Sequence, residues 1–244
     1  MRKVVFSLAL SFFLFSAAVL SAQTVTKPFN GKNLDGWKAV KQDEKQFFWM
    51  VGDVKVSDKD PRSLVFSWVA DDQEGVLVNL AGPGWGKDAK QRGIDFYTEK
   101  TFGDCTLEIE FMVPKGSNSG IYLMGEYEVQ TCDSWGKTGT LGQGDLGAIY
   151  SAAAPKLNAA KEPGEWQKFV IEFQAPRFDA DGKKIKDAHF VKVTLNGQVV
   201  QENVDVTKGS TGGGITGKEA PKGPLMLQGN HGPVAYRNIV ITEK

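Results

Sequence analysis

The sequence predicts an all-β protein, and the expectation rests on how its apolar residues are spaced. Apolar and polar residues alternate in short runs from Trp49 to the C-terminus, and Gly, Pro, Asn and Asp separate the runs. No stretch joins helical periodicity to capping residues over several turns, so helices are expected only as short loop elements, around Pro155 to Lys161. A chain of 244 residues, 41% of them hydrophobic, can bury a sizeable core, and without helices that core must lie between sheets.

The runs follow one another in chain order. Gly75 to Asn79 opens the clear series. In Cys105 to Val113, Cys105, Leu107, Ile109, Phe111 and Val113 share one face while Thr106, Glu108 and Glu110 share the other, which reads as a half-buried antiparallel strand ended by Pro114. Gly120 to Met124, Tyr127 to Cys132 and Gln167 to Phe173 follow. Phe190 to Leu195 and Gln198 to Val204 are joined by Asn196-Gly197, a type I′ hairpin signal. Pro224 to Gln228 and Ala235 to Thr242 complete the set. The Gly-rich stretch from Lys208 to Gly223 reads as a surface loop near the mouth of a sandwich. No repeat or linker divides residues 23–244, so they are expected to form one domain.

Residues 1–22 read differently. Arg2 and Lys3 precede an apolar run from Val4 to Leu14, and small residues cluster from Ser16 to Ala22, the pattern of a secretory signal peptide too short for a membrane span. The expected location is outside the cytoplasm, secreted or in the periplasm or cell envelope, with no membrane insertion of the mature chain. A formal charge of zero gives no broad attraction to nucleic acid or anionic lipid. The strand parities of Cys105 and Cys132 point them to opposite sides of their sheets, which argues against a disulfide.

Several segments in order carry a resemblance: Phe29-Asn30-Gly31-Lys32-Asn33-Leu34-Asp35-Gly36-Trp37, Phe102-Gly103-Asp104, Asn118-Ser119-Gly120-Ile121-Tyr122-Leu123 and Tyr127-Glu128-Val129-Gln130. Pro163-Gly164-Glu165-Trp166, Leu195-Asn196-Gly197, Gln228-Gly229-Asn230-His231-Gly232 and Tyr236-Arg237-Asn238-Ile239 continue it. Together they resemble the 3-keto-disaccharide hydrolase family, common in gut Bacteroidota, over Phe29 to Ile241. The resemblance implies a concanavalin A-like jelly-roll sandwich of two antiparallel sheets, with an oligosaccharide or glycoside bound on one of them. It also implies cleavage of a glycoside already oxidised at C3. A ketone there acidifies the C2 proton, so a base can start an elimination that expels the substituent at C1, and water can add afterwards.

Parity supplies candidate residues independently. If Ile121, Leu123, Tyr127 and Val129 face the core, then Tyr122, Glu128 and Gln130 face outward, with Asn118 at the strand entry. Burying Leu225 and Leu227 leaves Met226 and Gln228 outward and His231 in the following turn, so His231 and Glu128 can converge over one sheet. Either could serve as acid or base, and Arg237, Gln130 or Asn118 could stabilise an enolate oxygen. Trp135, directly after the Glu128 strand, is the first candidate for stacking on a sugar, ahead of Tyr150 and Trp166; most of the other tryptophans, Trp85 among them, read as packing residues. Each has a plainer reading as well: a solvated strand Glu, a loop His, an Arg paired at a sheet edge.

Other chemistry is weakly signalled. Gly212 to Lys218 matches a phosphate-loop spacing, but Glu219 replaces the hydroxyl residue and Pro221 prevents the following helix. Glu126 and Glu128 look like the carboxylate pair of retaining glycosidases, although same-face strand neighbours stand about 6.5 to 7 Å apart, wider than that chemistry uses. With only His189 and His231 no transition-metal centre or other cofactor is expected, though loop oxygens could hold calcium. Two alternatives stand beside the 3-keto enzyme: a non-catalytic carbohydrate-binding module, and a conventional glycoside hydrolase acting on unoxidised glycans.

Overall fold

The computed structural model describes residues 23–82 and 92–244; the signal-peptide reading of residues 1–22 and the packing reading of Trp85 lie outside the described residues. The strands are β1 (Thr24–Thr26), β2 (Trp37–Ala39), β3 (Trp49–Val56), β4 (Leu64–Ser67), β5 (Val76–Asn79), β6 (Phe96–Phe102), β7 (Cys105–Met112) and β8 (Asn118–Leu123). They continue as β9 (Tyr127–Cys132), β10 (Gln167–Gln174), β11 (Arg177–Phe178), β12 (Lys184–Lys186), β13 (Ala188–Leu195), β14 (Gln198–Val206), β15 (Gly223–Leu227) and β16 (Val234–Glu243).

Apart from β11 and β12, which pair with each other as a separate ribbon, the strands form the expected sandwich of two antiparallel sheets, a jelly roll. A nine-stranded sheet runs β14-β13-β10-β7-β16-β5-β3-β4 with β1 added on β16, and a five-stranded sheet runs β2-β6-β15-β8-β9. Alternation explains the core. In β7, Leu107, Ile109 and Phe111 are fully buried and pack with Phe169 and Ile171 of β10 and Ile241 of β16. The five-stranded sheet answers with Phe96, Ile121, Tyr127, Val129, Leu225 and Leu227. Burial on this scale, at about 25 cal/mol per Å² of apolar surface, is the main force holding the sheets together. Where polar atoms enter the interface they pair: Ser119 Oγ donates to the Gln228 carbonyl at 2.7 Å and lies 2.8 Å from the Tyr236 hydroxyl.

Two expectations are corrected. Pro155 to Lys161 forms no helix, because tertiary partners take its polar groups: Lys156 N donates to the Val200 carbonyl at 2.9 Å, and Asn158 Nδ2 donates to the Ser134 carbonyl at 2.7 Å. The helical element among the described residues is a short 3-10 turn, Glu44–Gln46, capped by Asp43. The strand series also starts earlier and includes β6, whose centre, Thr98 to Thr101, is polar and hides its sheet period. Cys105 and Cys132 are buried, unbonded and on different sheets.

The outer face of the five-stranded sheet is covered. Segment 147–150 pairs with the free edge of β9: Gln130 N donates to the Ala148 carbonyl at 2.9 Å and Tyr150 N to the Glu128 carbonyl at 3.1 Å. The Gly-rich loop is pinned over the same face by Glu126, whose carboxylate accepts from Thr216 N at 2.9 Å, Thr216 Oγ1 at 2.7 Å and Gly217 N at 3.1 Å. Glu126 is therefore a loop anchor and does not form a carboxylate pair with Glu128.

Candidate functional site

Strand register builds the site from two rows. Met226, Tyr122 and Glu128 lie side by side across β15, β8 and β9, and the next row holds Gly120 and Gln130. Gln228 extends that second row, its backbone N–H donating to the Gly120 carbonyl at 2.9 Å. Glycine at the centre of the second row gives the Glu128 carboxyl room to lie across it. A Cβ at Gly120 would stand 2.1 Å from Glu128 Oε1, so any larger residue there displaces the carboxyl.

These rows floor a cavity of 240 Å³ lined by Asn118, Tyr122, Glu128, Gln130, Gln228 and His231, with Tyr150, Gly212 and Gly213 of the covering loops as its walls. Glu128 is 3% exposed. Burial raises its carboxyl from 4.5 to about 8, the nearby charge of Asp95 adds to the rise, and a hydrogen bond with the Tyr122 hydroxyl partly opposes it. The acid is therefore largely protonated at neutral pH. Burial also pushes the Tyr122 hydroxyl up, and Gln228 Nε2 donates to it at 3.2 Å.

His231 is displaced the other way: burial lowers its affinity for a proton and the Arg92 cation adds to that effect, so its imidazole is neutral at neutral pH. Its Nδ1 contacts Asn230 Oδ1, and Asn230 Nδ2 reaches Asp95 Oδ2 at 3.5 Å. The Asp95 carboxylate orients the Asn230 amide, the amide oxygen holds the proton on His231 Nδ1, and Nε2 becomes the basic nitrogen. Asp95 also accepts from Gly229 N at 2.8 Å, while Asn79 Nδ2 donates to the Gly229 and Gly232 carbonyls at 2.8 and 3.0 Å, so the turn carrying His231 is clamped from both sides. Gly229 is required there, since a Cβ on it would stand 2.2 Å from the Ile94 carbonyl oxygen.

Asn118 Oδ1, Gln130 Oε1 and Gln228 Oε1 are buried and lack a hydrogen-bond partner among the described residues, and all three residues line the cavity. Buried acceptors of this kind are costly unless a ligand donates to them, and a hydroxyl-rich molecule does so readily. Among the described residues no three His, Cys, Asp or Glu side chains gather as a metal-binding group.

The structure thus brings together six of the eight candidates and separates two. Arg237 lies on β16 in the other sheet, on its outer face; it donates from Nε to Glu110 Oε2 at 2.7 Å and stacks 4.0 Å from the Trp166 ring. It cannot reach the cavity, because the core lies between. Trp135 is 53% exposed on a turn whose backbone N–H is held by Asp133 Oδ1 at 3.0 Å, and it does not line the cavity; Tyr150 does. Asp95 and Asn230 were missed. The available signal was an acid placed between Ile94 and Phe96, where a charge needs a specific partner.

Comparison with known proteins agrees with the fold. Residues 24–242 match the model of the 3-keto-alpha-glucoside-1,2-lyase-like domain family. A crystal structure of a candidate glycosyl hydrolase from Parabacteroides distasonis is similar with 27% identity and a TM-score of 0.58, covering 94% of each chain. A second from the same organism shares the fold at 17% identity and a TM-score of 0.57, covering 90% of this chain and 94% of its own. Comparison with curated proteins gave no match.

Proposed function

The chain belongs to the 3-keto-alpha-glucoside-1,2-lyase-like family, and on that premise we propose that this glycoside-hydrolase-like domain cleaves the glycosidic bond of a sugar carrying a ketone at C3. One observation carries the reading. In a single cavity a carboxyl is held protonated and an imidazole is held neutral, among amide oxygens that want hydroxyl donors. Two titratable groups pushed apart in this way are matched to acid and base roles at neutral pH.

His231 Nε2 takes the proton from C2, and the electron pair moves into the C3 carbonyl to give an enolate. The side-chain N–H groups of the cavity amides can donate to that oxygen. The enolate then collapses, the C1–O bond breaks, and Glu128 gives its proton to the departing oxygen. The products are a free alcohol and a C1=C2 bond conjugated with the C3 ketone. Water can add across that bond: the Glu128 carboxylate takes a proton from water as it attacks C1, and the His231 imidazolium returns a proton to C2. Hydrolysis is then complete and both residues are back in their starting forms.

The test is incubation with 3-keto-trehalose and 3-keto-lactose beside the parent sugars. Monosaccharide release from the oxidised sugars alone is expected, with deuterium at C2 of the hydrolysed product in heavy water. Turnover of the parent sugars would assign the protein to conventional glycoside hydrolases, and binding without turnover of any oxidised sugar would make it a binding module. The N-terminal segment of residues 1–22 supports a site of action in the periplasm or outside the cell.

A further inference from the structure

A second cavity, of 140 Å³, adjoins the first across Tyr150, which lines both. The wall between them is tightly held. Thr211 donates from its backbone N and from Oγ1 to the Glu126 carbonyl at 3.0 and 3.1 Å, and its Oγ1 accepts from Glu128 N at 2.9 Å. Ser151 Oγ donates to the Thr211 carbonyl at 2.6 Å. Ser151 itself has a φ of 54°, in the left-handed region that a serine adopts only when its surroundings require it. The phenol of Tyr150, 41% exposed, is thereby set on a braced turn between two openings.

The lining of the second cavity suits one kind of ligand. Gln143, Thr207 and Lys208 line it at exposed positions, where no protein group among the described residues occupies their side-chain donors and acceptors, Val206 and Ala152 give it an apolar patch, and Tyr150 gives it an aromatic wall. Free donors and acceptors around an aromatic face match a pyranose ring, which has hydroxyls at its rim and C–H groups on its face.

We propose that this second cavity is the subsite for the leaving sugar, so that the substrate lies across Tyr150 with its oxidised ring over Glu128 and an unoxidised ring against Gln143 and Lys208. The inference rests on the proposed reaction and adds where the second ring is recognised. Each lost contact of this type weakens binding roughly 2- to 10-fold.

The test uses Gln143→Ala and Lys208→Ala with two substrates sharing the oxidised ring, 3-keto-trehalose and methyl 3-keto-α-glucoside, whose leaving group is methanol. The ratio of their KM values should rise by that factor in each variant, with kcat on the disaccharide retained. An unchanged ratio overturns the subsite. If the wild-type chain cleaves neither compound, the proposed reaction fails, and the subsite is then judged by titration calorimetry with trehalose. Weaker binding by the double variant supports it; equal binding, or none by the wild type, overturns it.

Discussion

Replacing Glu128 by Gln should remove activity and at the same time make the protein more tolerant of alkali. In the folded chain the carboxyl binds its proton up to about pH 8, against 4.5 for the free side chain. Between those values the folded state holds more protons than the unfolded one, so stability is full below pH 4.5, falls as pH rises, and levels off above 8. At about 1.4 kcal/mol per pH unit, this one burial costs the wild type on the order of 5 kcal/mol by pH 9. The neutral, nearly isosteric Gln has no such dependence. Urea denaturation of both proteins at pH 5, 7 and 9 isolates the effect, because other groups titrate alike in each. The stability difference should shift steadily in favour of Glu128→Gln as pH rises, while turnover is lower by about 10²- to 10⁴-fold throughout. Denaturation midpoints that move in parallel with pH would refute the argument, since Glu128 would then ionise as freely folded as unfolded.

Four other outcomes follow from the geometry. Gly120→Ala puts a methyl where Glu128 Oε1 lies, 2.1 Å away, so turnover should collapse while circular dichroism stays that of the folded sandwich. Asp95→Ala releases the Asn230 amide and the 229–231 turn; a misplacement of His231 by about 1 Å should lower kcat about 10²-fold, and a rate within twofold of wild type would dismiss the positioning role. Glu126→Ala leaves Thr216 and Gly217 without their acceptor, costing about 3 kcal/mol and opening residues 211–218 to limited proteolysis, which gel analysis would detect. Arg237→Ala should keep turnover within twofold and lose about 1 kcal/mol of stability through the Glu110 pair and the Trp166 stack, as read by thermal denaturation.

The sequence by itself determined the fold class and the floor of the site. Side chains on a strand alternate with a period of two, a local property, so β7, β9 and the β13–β14 hairpin were legible, and so was the sharing of one face by Tyr122, Glu128 and Gln130. Where the apolar signal is interrupted, as in the polar centre of β6, the strand was not legible. Tertiary structure decided the rest. Parity would put Arg237 on the face of Ile239 and Ile241; a bulge between Arg237 and Val240 turns it outward, and the pairing of β16 in the opposite sheet removes it from the cavity. It says that Glu128 points outward but not that loops bury it and push its proton affinity up. Asp95 meets Gly229 across 134 residues of chain. Such meetings depend on which strands pair and what covers them, and that is settled only when burial of the whole core offsets the entropy of closing long loops.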